Sequence, residues 1–189
     1  MLLGWGPTGV LYTLGALTPL QRTILPETRL DHAIPFSPAG VWVYLSFFAL
    51  IPLTYFVSSD ETLKWLKKTM QICAVVAGVV FVLWPTTLSY PPVLLDGLSA
   101  HVLSFVQGTD SRSNCLPSLH GALTVVCMWA LARHRNRALA ILGLVWGLAI
   151  CYSVIQVRQH VAIDLGTGML LGVFAGMLNG QNRRLSHDV

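Results

Sequence analysis

The chain has 189 residues, of which 54% are hydrophobic and only 11% charged, less than half of the roughly 25% charged residues in an ordinary soluble domain. That composition, with a mean hydropathy of +0.64, excludes a water-soluble globular protein. A net charge of +4, from twelve scattered Lys and Arg residues, excludes a nucleic-acid-binding face. A single domain over 1–189 accommodates the length. Cys73, Cys127 and Cys151 lie in apolar runs and only Cys115 in a polar connection, so no disulfide framework is implied.

Cutting the chain at every Asp, Glu, Lys and Arg leaves six long charge-free windows: 1–21, 32–59, 69–95, 113–132, 138–157 and 165–182. Each can hold a spanning helix, since about 20 mostly apolar residues cross the hydrocarbon core. The sequence therefore predicts an all-α, six-transmembrane-helix bundle. Window one is the weakest, diluted by Gly4, Gly6, Pro7, Gly9 and Pro19. A cleaved signal peptide competes there, but the basic n-region is missing and the stretch is read as a helix.

Farther along, Ser58-Ser59-Asp60-Glu61 ahead of Leu63, Trp65 and Leu66 reads as a capping box opening a short amphipathic helix at the inner interface. Asp96 and Asp110 flank a segment, 98–106, expected to lie as an interfacial helix. Trp42, Trp65, Trp84 and Trp129 fall near window ends and are read as interfacial belt residues. Gly168, Gly172, Gly176 and Gly180 form a four-residue repeat that lets another backbone approach. It could serve a homo-oligomer, but packing inside its own bundle is the preferred reading.

Orientation follows from the basic residues, which stay in the cytoplasm. Connections two and four and the C-terminal tail carry Lys64, Lys67, Lys68, Arg133, Arg135, Arg137, Arg183 and Arg184, against Arg22, Arg29, Arg112 and Arg158 on the other side. The expectation is a multi-pass cell-membrane protein with both termini cytoplasmic and loops one, three and five outside.

In such a chain an ionisable group near a span is costly and is a functional candidate. His120 opens span four, after Pro117-Ser118-Leu119, and His160 with Asp164 opens span six. All three are thus expected at one outer face. On a helix, a spacing of four puts His160 and Asp164 on one side, where the carboxylate holds one ring nitrogen and leaves the other free to attack. Asn114 or Ser118 can cap a helix starting at Leu119, whose free amides and dipole favour an anion beside His120. A protonated His120 there can donate to a leaving oxygen.

Asn-Cys-Leu-Pro-Ser-Leu-His (114–120) and Ser-Val-Ile-Gln-Val-Arg-Gln-His-Val-Ala-Ile-Asp (153–164) resemble the second and third motifs of the type 2 phosphatidic acid phosphatase (lipid phosphate phosphatase) superfamily. The resemblance covers about residues 84–176. It implies a six-helix, metal-independent enzyme without cofactors, in which His160 is the nucleophile that becomes phosphorylated, Asp164 orients it and His120 protonates the leaving group. The segment 84–92 occupies the first-motif position but lacks that motif's lysine and arginine, Val154 replaces the usual arginine after Ser153, and Leu119 replaces a glycine. For the phosphate this leaves Arg158, Arg112 and the Ser118 region. Pro-Ser-Leu-His and a basic residue two before the third-motif histidine are similar to the branch with the sphingomyelin and inositol phosphorylceramide synthases.

These readings converge on a membrane-embedded lipid-phosphate phosphatase with a phosphohistidine intermediate. Its substrate is expected to be a lipid phosphate entering sideways between helices, with water as first acceptor. The alternative is transfer of a phospho-headgroup to an alcohol. Two other classes compete: a metal or haem protein, because two histidines and a carboxylate also suit a facial triad, and a non-enzymatic membrane protein in which these groups only pair between helices.

Overall fold

The computed structural model describes residues 13, 20–91, 96–110 and 114–185, with side chains up to 180. The first expected span therefore lies almost wholly outside the described residues, and Arg112 outside them too. In chain order the elements are β1 (Thr23–Ile24), α1 (Arg29–Ala33), a 3-10 turn (Pro38–Gly40), α2 (Val41–Leu45), α3 (Phe47–Val57), α4 (Asp60–Leu83), β2 (Thr86–Thr87), α5 (Leu98–Thr109), α6 (Leu119–Ala132), α7 (Arg137–Gln156) and α8 (Ala162–Leu185).

Four stretches are long and apolar enough to cross a membrane: Pro38–Val57, Asp60–Leu83, Arg137–Gln156 and Ala162–Gly180, with the shorter apolar helix Leu119–Ala132 among them. These correspond to windows two to six. Their boundaries follow local chemistry. Pro85 stops α4 well before the third window ends, because proline cannot donate to the preceding turn. The expected separate amphipathic helix at Ser58–Glu61 is instead the first turn of α4: Ser59 accepts from the Thr62 N–H at 3.4 Å, and nothing between Leu66 and Thr69 breaks the helix. The 98–106 segment is helical, as α5.

Helix α6 is central and packs against α3, α4, α7 and α8. Close approach to α8 requires the glycine repeat. A Cβ on Gly172 would lie 2.6 Å from the Ala122 carbonyl oxygen, and one on Gly168 would collide with the Ser118 carbonyl. Gly176 faces the rings of Trp129 and Trp65. Three of the four glycines of the repeat are thus covered by the same chain, while a Cβ on Gly180 would meet nothing within 4 Å.

Large apolar side chains remain outward on the helices around α6, among them Phe56 at 88%, Leu83 at 72% and Phe174 at 60% exposure, an arrangement suited to lipid and not to water. Trp42 and Trp84 are half exposed at helix ends. Trp65 is buried instead, donating its indole N–H to the Gly176 carbonyl at 3.1 Å and lying edge-on to Trp129 under the Arg133 guanidinium. The belt reading fails for that pair because Arg133 and Asn179 supply a polar lid inside the bundle; Asn179 Nδ2 donates to the Trp65 carbonyl at 2.9 Å.

Three connections are knitted together at the opposite end. β1 and β2 pair in parallel, Thr23 with Thr86 and Ile24 with Thr87, and Asn114 bridges to Thr86. The Leu116 N–H donates to Thr86 Oγ1 at 2.8 Å, and the Ser37 N–H to the Gln156 carbonyl at 3.2 Å. The four described cysteines are free and buried.

Candidate active site

The site is built from two helix starts and one helix end. Helix α7 finishes at Gln156 with Val157 as its cap, after which Arg158 adopts a left-handed backbone, φ 55°. The Arg158 N–H bonds the Ile155 carbonyl at 3.0 Å and the Gln159 N–H the Val154 carbonyl at 3.1 Å, the double closure that ends many helices with a glycine at that position. An arginine there costs roughly 1 kcal/mol or more. Its guanidinium offsets this by donating to the Ile155 carbonyl at 3.2 Å and to the Ile34 carbonyl at 3.0 Å.

The reversed chain delivers His160 two residues before α8 begins. His160 and Asp164 therefore do not share a helix face as their spacing suggests. Asp164 occupies the third helical position and reaches back, as a capping carboxylate does. Its Oδ1 accepts the Val161 N–H at 2.8 Å and the Leu165 N–H at 2.9 Å, and its Oδ2 lies 2.6 Å from His160 Nδ1. An ionised carboxylate only accepts, so the hydrogen belongs to Nδ1, and His160 Nε2 carries a lone pair.

That Nε2 stands 3.2 Å from Nδ1 of His120, the second residue of α6. Ser118 caps α6 by accepting from the Gly121 N–H at 3.2 Å, while its own N–H donates to the Asp164 carbonyl at 3.0 Å. This bond, with Gly168 against Ser118, locks the two helix starts together and so fixes the two imidazoles. The His120 ring packs on Phe47 and Tyr44, with centroids 4.6 and 5.1 Å away. With His160 Nε2 as acceptor, His120 Nδ1 is the donor, and its buried Nε2 has no hydrogen-bond partner.

Beside the pair lies a cavity of about 420 Å³, lined by Tyr44, Phe47, Phe48, Phe105 and other apolar groups, and by Thr109, Asp110, Asn114, Cys115 and Gln159. Phe48 and Phe105, 50% and 71% exposed, carry the lining out to the molecular surface. Burial pushes the Cys115 thiol up to about 12, and burial with the neighbouring Cys115 raises the Tyr90 hydroxyl, 3.8 Å from that sulfur. This wall is therefore neutral at physiological pH. No lysine or arginine among the described residues lines the cavity.

The structure thus brings His120, His160 and Asp164 together. Ser118 acts as a cap and Arg158 as a loop clasp; neither lines the cavity, and a phosphate role for Arg158 would require its guanidinium to release two carbonyls. Among the described residues no three His, Cys, Asp or Glu side chains are grouped as metal ligands would be.

Two residues escaped sequence reasoning. Asp31, fully buried, accepts the Ala162 N–H at 2.7 Å, so a carboxylate from the segment ahead of the first long apolar stretch caps the helix that carries Asp164. Its other oxygen accepts the Thr28 N–H and hydroxyl at 2.6 and 2.7 Å. The Thr28-x-x-Asp31 spacing signals a helix start, but nothing local reveals a partner 131 residues away. Gln159, beside the nucleophile candidate, is the other.

A model of the PAP2 superfamily matches residues 20–178. The chain belongs to the PAP2 superfamily. Members of this superfamily are phosphoesterases, which supports an enzyme of phosphatase type. No curated protein and no solved structure matches the chain.

Proposed function

We propose that this PAP2 protein is an integral membrane lipid-phosphate phosphatase that works through a phosphohistidine on His160. The observation that carries the reading is the hydrogen-bonded series His120–His160–Asp164 at one end of an apolar bundle. Substrate phosphorus must enter between the two imidazoles, parting the 3.2 Å contact. His160 Nε2 then attacks phosphorus in line as the bond to the lipid oxygen breaks. Asp164 stabilises the positive charge that develops on the ring, and a protonated His120 gives its Nδ1 hydrogen to the leaving alkoxide. Water next attacks the phosphohistidine, His120 takes its proton, and inorganic phosphate leaves with His160 regenerated.

Lipid as substrate is supported by the cavity's aromatic wall and its exposed Phe48 and Phe105. An extracytoplasmic site, with a multi-pass topology, is supported by the basic clusters at 64–68 and 133–137 at the other end of the helices. A second reading is transfer of a phospho-headgroup to an alcohol. It is favoured by the absence of Lys and Arg from the described lining, since a phosphodiester carries one negative charge where a monoester carries up to two.

Purified protein incubated with radiolabelled lipid phosphates, with and without alcohols, tests both. Inorganic phosphate as product supports hydrolysis, and label on an added alcohol supports transfer. No product from any substrate counts against both.

A further inference from the structure

Gln159 is a buried polar group of the cavity that this scheme leaves unused. Gln159 is 4% exposed and lines the cavity with His120 and His160, and its carboxamide Nε2 has no hydrogen-bond partner. A buried donor without an acceptor is less stable than an apolar group of the same shape, so the native state retains it at a cost. The left-handed turn at Arg158 holds it there: with the Gln159 N–H fixed on the Val154 carbonyl, residues 159 and 160 both face the same cavity.

An acceptor must come from the ligand. When His160 Nε2 bonds phosphorus, the non-bridging oxygens lie one bond beyond it, in the cavity that Gln159 also lines. Apart from the catalytic imidazoles, the lining brings no positive charge to the phosphoryl oxygens: Cys115 and Tyr90 stay neutral and Asp110 is acidic. We infer that the Gln159 carboxamide N–H donates to a non-bridging oxygen of the phosphoryl group, a neutral donor in the position where a cation would otherwise be used. This rests on the phosphohistidine reading for its substrate, but phosphate binding can be measured apart from turnover.

The test uses the full chain in detergent, with radiolabelled inorganic phosphate as probe in equilibrium dialysis, for wild type, Gln159→Met and Gln159→Glu. Thermal unfolding is followed in parallel. Gln159→Met should unfold at an equal or higher temperature yet bind phosphate about 10- to 100-fold more weakly, the loss expected for one hydrogen bond to a charged group. Gln159→Glu should be weaker still at about pH 7.5, and should recover relative to wild type as pH falls toward about 5 and the carboxyl becomes an O–H donor. A purely structural role would not produce that recovery. Undiminished binding by Gln159→Met, or no phosphate binding by wild type, overturns the assignment. Label transferred from lipid phosphate to His160 is scored separately in wild type. Its absence, with phosphate binding still dependent on Gln159, removes the phosphohistidine and upholds the oxyanion contact; its presence with unaltered Gln159→Met binding does the reverse.

Discussion

Asp164 has two tasks that substitution can separate. Its carboxylate holds His160 Nδ1 and at the same time terminates the Val161 and Leu165 amides. Asp164→Asn keeps the shape but replaces a charged acceptor with an amide, so turnover should fall about a thousandfold or more while the fold survives. Asp164→Ala should in addition lose about 1–3 kcal/mol, because the buried Val161 amide loses its acceptor, while the Leu165 N–H keeps the Val161 carbonyl at 3.0 Å. Steady-state rates and thermal unfolding of the two variants check this. The residue types at 120, 160 and 164 were legible in the sequence because ionisable groups are rare in so apolar a chain. The hydrogen bond between His160 and Asp164 was legible in their spacing, but its route was not: His160 precedes the helix, and the link depends on a capping carboxylate that spacing alone cannot distinguish from a shared face. Asp31 was invisible because its partner amide is on another connection.

At the scale of elements, the end of α7 decides where the nucleophile points. Arg158 pays a backbone penalty and offsets it with two guanidinium bonds. Glycine tolerates the left-handed backbone but lacks the bonds; alanine has neither advantage. Arg158→Gly should therefore be more stable than Arg158→Ala by about 1 kcal/mol. If Arg158 is a clasp, phosphate affinity should fall little in either variant. A large loss of phosphate affinity in both, without a stability difference, would instead identify it as a phosphate ligand. The helix boundaries were only partly readable: charge-free windows located the spans, yet α4 starts at Asp60, where capping outweighs three nearby lysines, and α6 begins at Leu119, after a loop that the window included. The two short strands had no signal, as each pairs only two residues across distant connections.

For the whole molecule, the central claim about sidedness is that the knitted end faces outward. The connections at 84–91 and 133–136 lie at opposite ends of α4 and α6. In intact cells a membrane-impermeant maleimide should label Ser89→Cys and spare Arg135→Cys; the opposite pattern reverses the topology. The native background should be low, since Cys115 is buried and its thiol, pushed up to about 12, stays protonated well above the pH of labelling. Composition made the bundle predictable, and the charge asymmetry supplies the orientation that this labelling tests. The internal use of the glycine repeat depended on which helix lies across it, and only the packed structure supplies that.

The most direct measurement is rapid acid-free quenching of the enzyme during turnover of a radiolabelled lipid phosphate, followed by mapping of the label. We expect base-stable, acid-labile phosphate on His160, absent from His160→Ala, which should also be inactive. Turnover with no label on His160, or a His160→Ala variant that retains full activity, would contradict the account.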